Sequence, residues 1–140
     1  MKKGKTLLGI LILAVILCLT LAACGPFEGF DDDNDIINHT GNSTVGSEIT
    51  NTSSKYSFSA KKFNGVIRVK DITLEANPTL DLTVTITSGK FKVVLVKDKK
   101  VYVVTDKAAG SSVTMTDLPA GTYNLRIVGK DAECSFVFNF

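Results

Sequence analysis

From Tyr56 to Phe140 the apolar residues fall on alternate positions, which restricts this stretch to β-structure. Leu80, Leu82, Val84 and Ile86 alternate with Asp81, Thr83, Thr85 and Thr87, so one face of the strand enters a core and the other meets water. Tyr123, Leu125 and Ile127 repeat the pattern, as do Cys134, Phe136, Phe138 and Phe140. No segment carries a convincing helical period. Eight short strands are expected, near 56–63, 66–75, 80–87, 91–97, 101–105, 112–116, 122–129 and 134–140. Asn64-Gly65 reads as a type I′ hairpin turn, because both residues accept positive φ, and it would set Lys61 opposite Arg68. Ile67 and Val69 are out of phase with Ile72 and Leu74, which predicts a bulge near Lys70-Asp71. Many short strands with Gly, Pro and Asp turns indicate a small antiparallel β-sandwich over residues 55–140, with Phe58, Phe91, Tyr123, Phe136 and Phe138 as its core anchors.

The amino-terminal segment has a different character. Lys2, Lys3 and Lys5 precede an apolar run from Leu7 to Leu21, and Leu21, Ala22, Ala23 and Cys24 close it. A cationic start, an apolar stretch of this length and small residues at its end describe an export signal over residues 1–23. The closing pattern resembles the signal of bacterial lipoproteins. That resemblance implies that a lipid transferase and a dedicated peptidase read Leu21, Ala22 and Ala23, leaving Cys24 as a lipidated mature amino terminus anchored in the cell membrane. An uncleaved membrane helix is the alternative, since a span takes about 17 to 25 residues. Both readings put the rest of the chain on the extracytoplasmic side, because positive charge stays inside.

The total charge of +2 conceals a division. Gly25 to Ser54 contains six carboxylates, Glu28, Asp31, Asp32, Asp33, Asp35 and Glu48, and no Lys or Arg, a formal charge of −6. Lys55 to Phe140 holds 13 Lys and Arg against 8 Asp and Glu, or +5. Residues 24–54 therefore read as a lipidated cysteine followed by a disordered acidic tether, too poor in apolar residues to offset its ordering entropy and spanning about 30 Å. Asn38, Asn42 and Asn51 head Asn-x-Ser/Thr triplets, which a bacterial lipoprotein signal makes accidents of composition. Asp31-Asp32-Asp33-Asn34-Asp35 spaces its carboxylates as a calcium loop does, but Ile36 and Asn42 stand where such a loop needs Gly and Glu. No metal or cofactor is expected.

A second resemblance arises further along. Phe91-Lys92-Val93-Val94-Leu95-Val96, followed by Leu118-Pro119-Ala120-Gly121-Thr122-Tyr123-Asn124-Leu125-Arg126-Ile127 and a closing strand, resembles the bacterial pre-peptidase C-terminal domain. It covers about half the chain after the signal and implies a jelly-roll-like sandwich with an accessory binding role. Here the domain stands alone behind a lipid anchor instead of trailing a protease.

Catalysis is difficult to assemble from these residues. The one histidine, His39, lies in the tether, which removes Ser-His-Asp and Cys-His arrangements from the sandwich. Asp71, Glu75, Asp81, Asp98, Asp106, Asp117, Asp131 and Glu133 fall mostly at strand ends and turns, where Asp is the ordinary turn residue. No Gly-rich phosphate loop precedes a helix, and no nucleic-acid partner is expected. With Cys18 in the signal and Cys24 consumed by lipid, Cys134 has no partner and reads as a buried small hydrophobe. The chain has no Trp, so stacking on sugar rings falls to Tyr56, Tyr102 or Tyr123.

The expected function is a lipid-anchored, non-catalytic module of the bacterial envelope that binds another protein or an anionic envelope polymer. An accessory subunit docked on a membrane complex and a glycan-binding sandwich are the alternatives. Two surfaces could serve. Lys90, Lys92, Lys97, Lys99, Lys100 and Lys107 should form a basic edge, either for an anionic ligand or simply to protect an edge strand. Around a loop at Asp98-Lys99, Val94, Val96, Val101 and Val103 should form an outward stripe, either covered by a neighbouring loop or offered to a partner or second copy.

Overall fold

The computed structural model describes residues 25–39 and 41–140, and these form an all-β antiparallel sandwich. A 3-10 helix, Glu28–Asp31, and a short helix α1, Asp33–Asn38, come first. Seven strands follow: β1 Asn42–Val45, β2 Glu48–Asn51, β3 Lys55–Leu74, β4 Thr79–Lys97, β5 Lys100–Thr105, β6 Ser112–Thr114 and β7 Gly121–Asn139. The sheet runs β1-β3-β7-β4-β5, with β2 on β3 and β6 on β4 as short edges.

Three long strands replace six of the expected short ones. Segments 56–63 and 66–75 are one strand, β3; 80–87 and 91–97 are β4; 122–129 and 134–140 are β7. Each crosses both layers of the sandwich by bending at its middle. The bends coincide: the β3–β7 register shifts between Ala60 and Gly65, and the β4–β7 register between Ile86 and Lys90. Extra residues at these bulges reverse which alternate set points inward, the way strands turn the corner of a sandwich. Thus Leu80, Leu82 and Val84 are core before the corner of β4, and Phe91, Val93 and Leu95 after it. In β7 the inward set changes from Tyr123, Leu125 and Ile127 to Ala132, Cys134, Phe136 and Phe138.

The Asn64-Gly65 hairpin does not form, and Lys61 does not face Arg68. Gly65 has φ +109° while Asn64 stays out of the left-handed region, so the pair cannot make a type I′ turn. Arg68 pairs instead with Arg126 on β7. The corner demands small residues: a Cβ at Gly129 would collide with the Phe63 ring, and one at Gly89, φ +72°, with the Asp131 carbonyl. A further register shift in β3 falls between Arg68 and Lys70, beside the expected position.

All five expected anchors are buried in one core, where aromatic rings meet across the layers, Phe63 to Phe91 and Phe91 to Phe136 both at 6.3 Å. Cys134 lies among them as a free thiol.

Residues 25–39 and 41–54 are not a disordered tether. β1 and β2 extend the sheet along β3, and the segment before them lies as a strap across the outer face of the sandwich. Its few apolar residues suffice because they meet a ready-made apolar face. Phe30 and Ile36 are buried against Val66, Val94, Val96 and Val128. The acidic run does structural service as well: the Asp32 carboxylate caps α1, accepting from Asn34 N at 2.8 Å and Asp35 N at 3.1 Å.

Candidate functional site

Leu21, Ala22, Ala23 and Cys24 lie outside the described residues. Val94 pairs with Val103, Leu95 with Tyr102 and Val96 with Val101 as expected, around a two-residue turn at Asp98 and Lys99, but a register shift between Val93 and Val94 sets Val93 opposite Thr105 and not the expected Val104. The valine stripe is not an open docking face. Val94 is wholly buried and Val96 nearly so beneath the strap, Val101 packs at its border, and only Val103, 49% exposed, remains in solvent. The strap is the neighbouring segment that covers the stripe.

The six lysines do not make one patch. Lys90 and Lys92 belong to the strap contact: Lys90 Nζ is 3.6 Å from Asp31, and Lys92 Nζ lies 4.6 Å over the Phe30 ring. Burial pushes the Lys92 ammonium below the usual lysine range, opposed by Asp31, Asp33 and Asp106. Five residues beyond Lys92 along β4, roughly 17 Å at strand rise, Lys97 reaches the Ala120 carbonyl and the Tyr123 ring while Lys100 lies over Tyr102. Lys99 sits in the turn between them, and Lys107 follows β5 in a loop tied back to Thr105. Of the six, Lys97, Lys99 and Lys100 gather at the β4–β5 tip.

Arg126 fastens the strap, a role that the alternation gave no reason to expect. Only 5% exposed, it donates from Nη1 to the carbonyls of Ile36 at 2.7 Å and Ile37 at 2.8 Å, and from Nε to Asn124 Oδ1. A cation on the last carbonyls of α1 suits the negative end of the helix. Arg68 adds a bond to Ile37 O at 3.3 Å. Burial holds the Arg126 pKa below its ordinary value, with Arg68 acting in the same direction.

A concavity of about 520 Å³ opens between the end of β3, the start of β4 and the end of β7. Two carboxylates flank it, each held by an amide: Asn124 Nδ2 donates to Asp71 at 2.8 Å, and Asn139 Nδ2 to Asp81 at 3.0 Å. Phe140 supplies a half-exposed ring with Lys70 Nζ 4.0 Å above it. This combination can accept hydroxyl hydrogen bonds beside an apolar plane. Tyr56 and Tyr123 are core and cannot offer a stacking surface, and Tyr102 packs edge-on to Tyr123 at 5.7 Å. Among the described residues no three His, Cys, Asp or Glu side chains gather as a metal would require.

No protein-family model and no curated protein matches this sequence.

Proposed function

We propose that the chain is a lipid-anchored, non-catalytic module of the bacterial cell envelope that binds an anionic envelope polymer or another protein from the extracytoplasmic side. The observation that carries this reading is the sequence Leu21-Ala22-Ala23-Cys24 closing a cationic and then apolar segment. An all-β sandwich directly after it suits a binding module, and the resemblance to the pre-peptidase C-terminal domain points the same way. The cationic β4–β5 tip, with Lys97, Lys99, Lys100 and the exposed Val103 beside it, supports a charged or protein ligand there. The strap covers most of the apolar stripe that a permanently docked accessory subunit would have used, which favours the free binder.

The anchor is tested by feeding cells an alkyne fatty acid. Label should appear on the full chain and vanish in Cys24→Ala, together with the protein's membrane fraction. Unchanged membrane association of Cys24→Ala overturns the reading. Ligand class is tested by salt-sensitive binding to wall polymer, which Lys99→Glu with Lys100→Glu should abolish.

A second reading, a glycan-binding sandwich, is favoured by the cleft of Asp71, Asp81 and Phe140. Glycan-array binding lost in Asp81→Ala and retained in the double lysine variant would select it.

A further inference from the structure

We infer that the β1–β2 edge of the sandwich rests directly on the bilayer surface, with no free tether between membrane and domain. The inference rests on the lipoprotein reading and adds the orientation to it. Only Gly25 and Pro26 separate Cys24 from Phe27. Phe27 is already part of the folded body, its N–H donating to Asn64 Oδ1 at 3.1 Å and its ring 4.6 Å from His39. Three Cα steps reach at most about 11 Å, and the headgroup zone is itself about 5 to 8 Å deep on each side of the bilayer. A lipid on Cys24 therefore brings the body of the domain into contact with headgroups.

The side that meets them follows from what surrounds this point. Gly25, Pro26 and Phe27 border a shallow hollow with Asn42 and Ser43 of β1, so β1 and β2 lead away from the anchor along the sheet edge. That edge carries the two most exposed large apolar side chains among the described residues, Val45 at 61% and Ile49 at 57%. Val45 pairs with Lys62, and the Lys61 stem lies against Gly46. An apolar side chain beside lysines, as Val45 is, suits a surface of anionic phosphates over hydrocarbon; at the far end of the edge Glu48 stands before Ile49. On the strap, Asp32, Asp33 and Asp35 are exposed and turn its outer face away from such a surface. β5, at the other end of the sheet order, carries Val103, also exposed.

The absence of Trp from the chain allows single probes. Full-length Val45→Trp and Val103→Trp are expressed with their signal, purified, checked by mass spectrometry for acyl groups on Cys24, and reconstituted in phosphatidylglycerol vesicles containing brominated lipid. The expected result is emission at position 45 quenched several-fold more than at position 103, and an equalised, weak quenching once 20 Gly and Ser residues are inserted between Cys24 and Gly25. Acylated protein with equal quenching at both positions, or stronger quenching at 103, overturns the orientation while leaving the anchor standing. Protein with an unmodified Cys24 overturns the lipoprotein reading and the orientation with it.

Discussion

Asn64 and Asp131 clasp each other across the corner of the sandwich: Asn64 Nδ2 donates to the Asp131 carboxylate at 3.0 Å, and Asn64 Oδ1 accepts from the Asp131 N–H at 2.8 Å. The same Oδ1 accepts from Phe27, so one amide joins two of the bent strands, β3 and β7, and the strap. Asn64→Ala should cost about 1 to 3 kcal/mol in denaturant unfolding, the usual cost of orphaning buried polar partners. The Asn64 hydrogen bond holds the Asp131 carboxyl below its ordinary pKa, aided by Lys62. A depressed folded pKa contributes stability above the unfolded pKa and loses it as pH falls through the folded one. The acid limb of the pH–stability curve should therefore flatten in Asn64→Ala. An unchanged acid limb would argue that the clasp does not set the Asp131 pKa.

Arg126→Met should release the strap. The carbonyls of Ile36 and Ile37 lose their buried cation, a loss of about 2 to 3 kcal/mol, while the methionine keeps most of the volume. Hydrogen exchange should accelerate over residues 27–39 and remain slow in the β3–β7 ladder. Arg126→Lys should not restore protection, because a single ammonium cannot reproduce the planar fork.

The two ends of the valine stripe should respond differently to the same change. Val94→Thr places a hydroxyl in a buried apolar contact and should destabilise by about 1 to 3 kcal/mol. Val103→Thr, on the exposed end, should stay within about 0.5 kcal/mol. Equal effects in thermal unfolding would contradict the strap's position.

Asp98 and Lys99 both have positive φ, 51° and 60°, in the β4–β5 turn. Lys99→Gly should stabilise the protein by about 1 kcal/mol, since only glycine takes this conformation without steric cost. A lower melting temperature would show that Lys99 makes a compensating contact.

Burial pushes the Cys134 thiol up to about 12. Thiol reagents should label it slowly in the native state and rapidly in denaturant. A raised thiol pKa means the folded state keeps a proton that the unfolded state gives up, so stability should fall as pH rises from about 8.5. Cys134→Ala should lose that decline, and a persistent one would assign it to other groups.

The β4–β5 pairing was legible because a two-residue loop fixes register: Val94 can meet Val103 in only one way once Asp98 and Lys99 form the turn. The alternation of Leu80 to Val84 and the phase change after Val69 were legible for the same local reason. The corner was not. A strand that bends and reverses its inward set leaves the same trace in sequence as two strands joined by a turn, and Asn64-Gly65 mimicked a hairpin because its amide was needed 67 residues away, at Asp131. The strap was illegible for a different reason. Six helical residues carry too little period to register, and the burial of Phe30 and Ile36 depends on a valine face assembled from β3, β4 and β7. Asp32 ahead of Ile36-Ile37 was the one local sign, a capping residue at a helix start. The cleft gathers residues from three distant strand ends, which no local pattern connects.

β7, which follows the other six strands, occupies the middle of the sheet between β3 and β4, which do not pair with each other. Until β7 is made, the two earlier long strands have no common partner, and the β3–β7 and β4–β7 ladders then close over long sequence separations. Such a topology folds slowly and late. Crossing a membrane unfolded, which the proposed function requires, is eased by this order, because the sandwich cannot close before β7 is present.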